Sequence, residues 1–124
     1  MTAEDFREIV LSLPGATEGA HMGHPDFRAN GRIFATLHGG DAFGMVKLTP
    51  EEQQEFMRQS PAVFIPSAGA WGRQGCTNVR LTAATERVLR PAVLLAWEGV
   101  MSRPARTPGT GRAARPRKRP ADKR

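Results

Sequence analysis

The sequence predicts an α+β fold, an antiparallel sheet of about five strands with helices on one face. Three observations support this prediction. Apolar residues recur at helical spacing near both ends of the folded part, the middle of the chain alternates with a period of two, and turn-forming residues separate the alternating stretches. The predicted order of elements is α-β-β-β-α-β-β-α, which is typical of a sheet that packs its helices on one side.

The first helix begins after Thr2, which can cap it, with Asp5 at the third helical position as in a capping box. Its apolar stripe contains four residues at positions i, i+3, i+4 and i+7, namely Phe6, Ile9, Val10 and Leu13. The Pro-Gly pair at 14–15 ends the helix.

Three strands are predicted between residues 26 and 48, with the sequences DFR, RIFATL and AFGMVKL. The turn-forming stretches RANG at 28–31 and HGGD at 38–41 separate them. Short strands joined by such turns form an antiparallel meander.

The second helix is marked by Thr49 as N-cap, Pro50 as first helical residue and Glu52 as the reciprocal capping partner. It is predicted to end near Gln59, because the Ser-Pro pair at 60–61 breaks it.

Two short strands follow at 62–65 and 76–82. In the second strand, alternation predicts that three residues share one face, namely Thr77, Val79 and Leu81. The last helix covers 85–101 and contains Pro91, which lacks a backbone N–H. Either this helix begins close to Arg87, which leaves Pro91 in its first turn, or it kinks at Pro91.

The charge of the chain is divided between a folded part and a tail. Residues 1–102 carry nine basic and eleven acidic residues, a net charge of −2, whereas residues 103–124 carry nine basic residues and one acid, a net charge of +8. The tail contains no aromatic residue and no Val, Leu, Ile or Met, so we expect it to be disordered. It is either a solvated appendage or an arm for nucleic acid, with candidate contacts at Arg112, Arg115, Arg117, Lys118 and Arg119.

The length fits one domain, 1–102, and no apolar stretch reaches the roughly 18 residues of a membrane span. The first ten residues do not resemble a secretory signal. The lone Cys76 excludes an internal disulfide, and nothing near it in the sequence provides the base that a nucleophile needs. We therefore expect a cytoplasmic monomer without enzymatic activity, cofactor or membrane association.

The stretch HMGHPDF offers the one candidate metal site. His21, His24 and Asp26 supply three ligand types at close spacing, with His38 as a distant fourth in a turn. The spacing is not that of a helical metal motif, so a polar loop with a packed histidine is the favoured interpretation over metal binding.

The glycine-rich stretch GAWGRQGCT at 69–77 is the densest local signal. It leads into a strand and lacks a Gly-Lys-Ser/Thr, which argues against a phosphate loop. We interpret it as a tight loop that presents Trp71 and Arg73. Trp71 is expected to be a packing anchor, and Arg73 is either a ligand contact or a solvated side chain.

Five stretches occur in order: EIVLSLPGATE, HPDFRANGRIFATL, VKLTPEEQ, GAWGRQGCTNVRL and LLAW. Together they resemble the MmcQ/YjbR-like family of small bacterial proteins, and the resemblance covers residues 4–101. The resemblance implies a frataxin-like or secretion-chaperone-like layout and DNA binding through a double-wing arrangement of the sheet. The family-motif residues are His24, Pro25, Phe27, Trp71, Gly72 and Gly75. Cys76 departs from the pattern, since an aromatic residue is expected there.

Two functions follow as hypotheses. In the first, the sheet face docks on DNA with Arg73 and Arg80, and the basic tail supplies most of the affinity. In the second, the net-negative domain is a scaffold for a protein partner. A metal-dependent activity around residues 21–26 is a weaker third alternative.

Overall fold

The structure, a computed structural model, describes residues 1–40 and 42–104, and of His21 the backbone alone. The helices are α1 (Ala3–Leu11), α2 (Pro50–Gln59), α3 (Gly69–Arg73) and α4 (Glu86–Met101). The strands are β1 (Thr17–His21), β2 (His24–Ala29), β3 (Arg32–His38), β4 (Phe43–Lys47), β5 (Phe64–Pro66) and β6 (Cys76–Arg80). They form one antiparallel sheet in the order β1-β2-β3-β4-β6-β5.

The predicted α+β fold is confirmed, and the sheet has six strands rather than about five. The additional strand is β1, whose sequence TEGAH has no apolar alternation that could indicate a strand. It forms because Met22 and Gly23, with φ of 52° and 82°, make a tight hairpin turn that pairs β1 with β2. The stretch HMGHPDF is therefore a hairpin turn followed by a strand.

Both predicted capping boxes are present. The side chain of Thr2 accepts from the backbone of Asp5, and the Asp5 carboxylate accepts from the Thr2 N–H. Thr49 and Glu52 make the same reciprocal pair at the start of α2. These contacts span three residues, so local sequence is enough to place both helix starts.

The three long helices pack on one face of the sheet. Phe6 of α1 lies over Gly44 of β4, where a Cβ atom would approach its ring to 2.5 Å. Phe56 of α2 packs against Phe64 of β5 with ring centroids 5.3 Å apart. Gly44 and Phe64 both pair with Val79, so they share a face, and α4 joins α1 there over β2, β3 and β4.

The helix α4 passes through Pro91 without interruption. It begins at Glu86, capped by Thr85, so Pro91 is its sixth residue and lies beyond the first turn. Pro91 is exposed, and the missing hydrogen bond is offset by an apolar face that the core buries, formed by Leu89, Ala92, Val93, Ala96 and Val100.

The β2–β3 turn fixes the end of α4. Asn30, with φ of 56°, donates through Nδ2 to the carbonyls of Val100 and Arg103, both at 2.9 Å. Arg32 donates through Nη1 to the carbonyl of Pro104 at 2.8 Å. The chain is therefore attached to the sheet through Pro104, two residues past the domain end at 102 that the sequence predicts.

Candidate nucleic-acid interface

Strand alternation places one set of side chains on the side of the sheet opposite α1, α2 and α4, which we call the open face. One row of it crosses five neighbouring strands in register, with Asp26 opposite Thr36, Thr36 opposite Met45, Met45 opposite Asn78 and Asn78 opposite Ile65. All except the fully buried Asp26 are half-buried. The open face is thus a mixed polar and apolar surface that water reaches.

An aromatic pair and a cation occupy one end of the open face. His38 of β3 lies opposite Phe43 of β4, and their rings stack at 5.8 Å with an interplanar angle of 17°. Phe43 in turn lies opposite Arg80 of β6, whose side chain is exposed. Aromatic rings that reach the surface can stack on planar groups, and an exposed guanidinium can pair with phosphate or carboxylate.

A second exposed cation occupies the other end. Lys47, the last residue of β4, lies opposite Cys76, the first residue of β6. Arg80 ends β6, so it is four residues from Cys76, or roughly 13 Å at the rise of a strand. Lys47 and Arg80 therefore lie at opposite ends of the same pair of strands.

Asp26 and Arg28 form an ion pair on the open face. The Asp26 carboxylate accepts from Nε and Nη2 of Arg28 at 2.9 and 3.1 Å, while its own side chain is 1% exposed and that of Arg28 is 45% exposed. This hydrogen bond to Asp26 raises the pKa of Arg28. The pair fills the space beside Gly19 of β1, where a Cβ atom would come within 3.1 Å of Asp26 Oδ1.

The charges of the folded part are separated by face. The three long helices contain eight acidic residues and four arginines. In the described strands, the acids are Glu18, which binds Arg7 of α1, and Asp26, which Arg28 neutralises. The open face therefore presents Lys47 and Arg80 without an uncompensated acid among the residues described, although the domain as a whole is net negative.

The segment 69–76 contains a short helix, α3, where the sequence predicted a loop. Its glycines permit close backbone contacts. A Cβ on Gly72 would lie 1.8 Å from the carbonyl oxygen of Ser67, and a Cβ on Gly75 would lie 2.0 Å from that of Leu48. Gly75 also has φ of 110°, which glycine adopts most readily.

A buried glutamine holds α3 against the sheet. Nε2 of Gln53 in α2 donates to the carbonyls of Gly72 and Cys76, each at 3.0 Å, and to Oγ1 of Thr77 at 3.2 Å. Through these hydrogen bonds Gln53 links α2 to α3 and to β6 in the protein interior. Three acceptors for one buried amide group agree with the rule that buried polar groups are hydrogen-bonded.

The prediction that Trp71 is a packing anchor is wrong, because 64% of its side chain is exposed. In this one-turn helix Gly72 takes the inward position against the Ser67 backbone, which leaves its neighbour Trp71 in solvent. Arg73 is exposed at the end of α3. It precedes β6 whereas Arg80 ends it, so the structure does not bring the two arginines together.

The three candidate metal ligands, His21, His24 and Asp26, all lie in the paired strands β1 and β2. His21 and His24 are backbone partners across the β1–β2 hairpin, and His24 is exposed. Both oxygens of Asp26 are bound to Arg28, which leaves that carboxylate engaged. Within residues 1–40 and 42–104, leaving aside the His21 side chain, no three His, Cys, Asp or Glu side chains converge on a common point.

The other family-motif residues of the hairpin have structural roles. Phe27 is fully buried and packs edge-on against Phe6 at 6.2 Å. Pro25 is half-exposed opposite Ala20 of β1. Phe27 therefore belongs to the core and not to a surface site.

Cys76 is buried near Lys47, and burial raises the pKa of its thiol more than Lys47 lowers it. A thiol with a raised pKa carries less of the thiolate that nucleophilic chemistry requires. The tail residues Arg112, Arg115, Arg117, Lys118 and Arg119 lie outside the described residues, as does Asp41, which falls between β3 and β4 in the sequence.

The predictions from the sequence do not identify four residues as members of one surface, namely Arg28, His38, Phe43 and Lys47. Period-two alternation could have indicated part of this surface, because it places Thr36 and His38 on the face opposite the buried Leu37. Which strands lie side by side, however, is a property of the sheet order.

A six-stranded antiparallel sheet with helices on one face and an exposed, cation-bearing second face defines a small, open-faced α+β domain. The family model YjbR matches residues 11–98, which is more than half of the chain. The chain therefore belongs to the YjbR family, as the sequence motifs indicate.

A solved structure supports the fold. The crystal structure of Deinococcus radiodurans protein DR2400, a DUF419 domain, is similar with a TM-score of 0.66 and 18% sequence identity. The similarity covers 81% of this chain and 78% of that chain. No curated protein matches the chain. In the part of the chain that the structure describes, no helix has the length and apolar character to cross a membrane.

Proposed function

We propose that this protein binds DNA through the open face of its sheet, with the basic tail supplying much of the affinity. The separation of charge by face carries the proposal. A net-negative domain repels phosphate unless its cations cluster away from its acids. Here eight acids lie on the three long helices, while Lys47 and Arg80 lie on the open face without an uncompensated acid beside them among the described residues.

The tail and the open face have different parts in this proposal. Nine basic residues beyond 102 attract any phosphate chain, independently of its sequence. Arg80 and Lys47 determine which surface of the domain meets the DNA. The cytoplasmic location and the monomeric state expected from the sequence belong to the same proposal.

The test is a binding titration against one duplex at several salt concentrations. If four to six tail cations meet phosphates, the slope of log K against log salt should be about −4 to −5 for the full chain. A chain truncated after Pro104 keeps the contacts to Asn30 and Arg32 and should show a much flatter slope. Absence of salt-dependent binding to any DNA by the full chain refutes the proposal.

The open face is tested by matched neutralisations. Lys47→Gln and Arg80→Gln should each weaken binding of the truncated chain, whereas Arg87→Gln removes an exposed arginine of α4 on the other face and serves as the control. If Arg87→Gln weakens DNA binding as much as Arg80→Gln does, the open face is not the DNA-binding surface. Arg73→Ala tests the remaining sequence-predicted contact in the same assay.

A protein partner is the second candidate, because the open face also exposes parts of Met45 and Ile65. Such a partner would bind residues 1–104 with little dependence on salt, since burial of apolar surface is insensitive to screening.

A further inference from the structure

We infer that the open face takes single-stranded nucleic acid, with unpaired bases stacking on the His38–Phe43 pair and the phosphate chain held by Arg80 and Lys47. This inference rests on the proposed function and specifies its ligand. The observation that supports it most directly is a stacked, half-buried aromatic pair beside an exposed arginine, on a sheet face that no long helix covers.

The aromatic pair is suited to bases and not to the outside of a duplex. Base faces in duplex DNA are covered by their neighbours, so a protein reaches only base edges in the grooves. His38 and Phe43 are half-buried in the sheet surface and offer ring area. Unpaired bases can leave their stack and lie against such rings, whichever base they carry.

The neighbouring row carries hydrogen-bonding groups. Thr36 lies two residues from His38 on β3, and Asn78 lies two residues from Arg80 on β6, both on the open face and half-exposed. The Oδ1 atom of Asn78 accepts from Oγ of Ser67 at 2.8 Å, which orients the amide. Polar groups beside a stacking surface meet the edges of unpaired bases.

Charge complementarity identifies the occupant as a polyanion. Arg80 is adjacent to the aromatic pair, and Lys47 lies roughly 13 Å farther along the strands. A backbone that passes along β4 and β6 therefore meets a cation at each end, with the rings beside one of them. The one acid that the described residues place on this face, Asp26, is already bound to Arg28.

The experiment measures the affinity of the full chain for a short labelled single strand of mixed sequence and for the matching duplex, by fluorescence anisotropy at low salt. The single strand should bind more tightly. Phe43→Leu removes the ring but keeps an apolar side chain, and it should weaken single-strand binding by about 5- to 150-fold, the effect of losing one stacked base. Duplex binding should change little.

Two controls separate stacking from stability. Phe56→Leu removes a ring that is also half-buried but lies on the helix-bearing face against Phe64, and it should leave affinity unchanged. Phe43→Trp keeps a stacking ring and should retain binding. Thermal melting of each variant verifies that it is folded. DNA and RNA strands of the same sequence distinguish the two sources of single strands.

The outcomes are distinct. Salt-dependent binding of duplex and single strand with equal affinity, unaffected by Phe43→Leu, overturns the inference and leaves the proposed function intact. No binding to either at low salt overturns both. A preference for the single strand that Phe43→Leu abolishes and Phe56→Leu does not supports the inference.

Discussion

Replacement of Asp26 by asparagine tests both the stability of the sheet and the charge of its open face. Asp26 is fully buried, and its two oxygens accept from two nitrogens of Arg28 at 2.9 and 3.1 Å. Asparagine keeps one acceptor, loses the charge and leaves Arg28 without its counterion. The variant therefore removes the ionic contact and one of the two hydrogen bonds while it keeps the size of the side chain.

The expected magnitude follows from burial. Breaking a fully buried ion pair costs about 3–5 kcal/mol, but 45% of the Arg28 side chain is exposed, so water can take up its released donors. We expect a loss of about 1.5–2 kcal/mol for Asp26→Asn, the lower part of the range for one charge-assisted hydrogen bond. For a domain of this size, that lowers the melting temperature by roughly 5–15 °C.

The partner substitution should be the more damaging of the two. Arg28→Met leaves a buried carboxylate with no donor, whereas Asp26→Asn leaves a half-exposed cation. The double variant removes both problems and should be less destabilised than the sum of the single variants, with a coupling of about 1 kcal/mol or more. Thermal and urea unfolding followed by circular dichroism measure all three.

An exposed pair provides the control. Glu86 and Arg90 form an ion pair one turn apart on α4, with both side chains more than half exposed. Glu86→Gln should change the free energy of unfolding by less than about 1 kcal/mol. If Asp26→Asn is as mild as Glu86→Gln, or if Arg28→Met is milder than Asp26→Asn, the argument from burial is refuted.

Two further predictions concern residues around α3. Gly72→Ala should destabilise the domain by about 3 kcal/mol or more, because the added Cβ would lie 1.8 Å from the carbonyl oxygen of Ser67. Gly69→Ala, in open space at φ of 67°, should lose only the roughly 1–2 kcal/mol of a left-handed residue, and equal melting temperatures would contradict this contrast. Cys76 is buried and should resist alkylation until the protein unfolds. Because burial raises the pKa of its thiol in the folded state, the stability that the thiol contributes is complete below the ordinary value of 9.0 and declines as pH rises above it. In urea unfolding, the free energy of a Cys76→Ala variant should fall less with pH than that of the parent protein, and an identical fall would refute the assignment.

The helices were predictable because their signals are local. The capping pairs Thr2–Asp5 and Thr49–Glu52 each join residues three apart, and the apolar stripe of α1 repeats within two turns. Two elements escaped prediction for the opposite reason. Strand β1 exists through its pairing with β2, and α3 exists through the contact of Gly72 with Ser67. The residue propensities of these two segments predict neither the strand nor the helix.

The residues of the candidate site were likewise predictable only where the signal is local. Alternation within CTNVR correctly predicts that Arg80 faces away from Val79, and the exposed position of Arg73 follows from its glycine-rich surroundings. Trp71 was assigned to the interior because large aromatics usually bury, but its neighbour Gly72 takes the single inward position of the short helix. The prediction for Trp71 failed because the close contact of Gly72 with the Ser67 backbone decides which side of α3 faces inward.

The amino-acid sequence is sufficient for the fold class, the starts of α1 and α2, the family and the contrast between a net-negative domain and a basic tail, because each depends on composition or on residues a few positions apart. The open face is different. His38, Phe43 and Arg80 become neighbours only when β4 lies between β3 and β6, and the acids of the three long helices lie away from them because these helices pack on the other side of the sheet. Those arrangements depend on strand register and helix packing between distant segments, which no local pattern encodes.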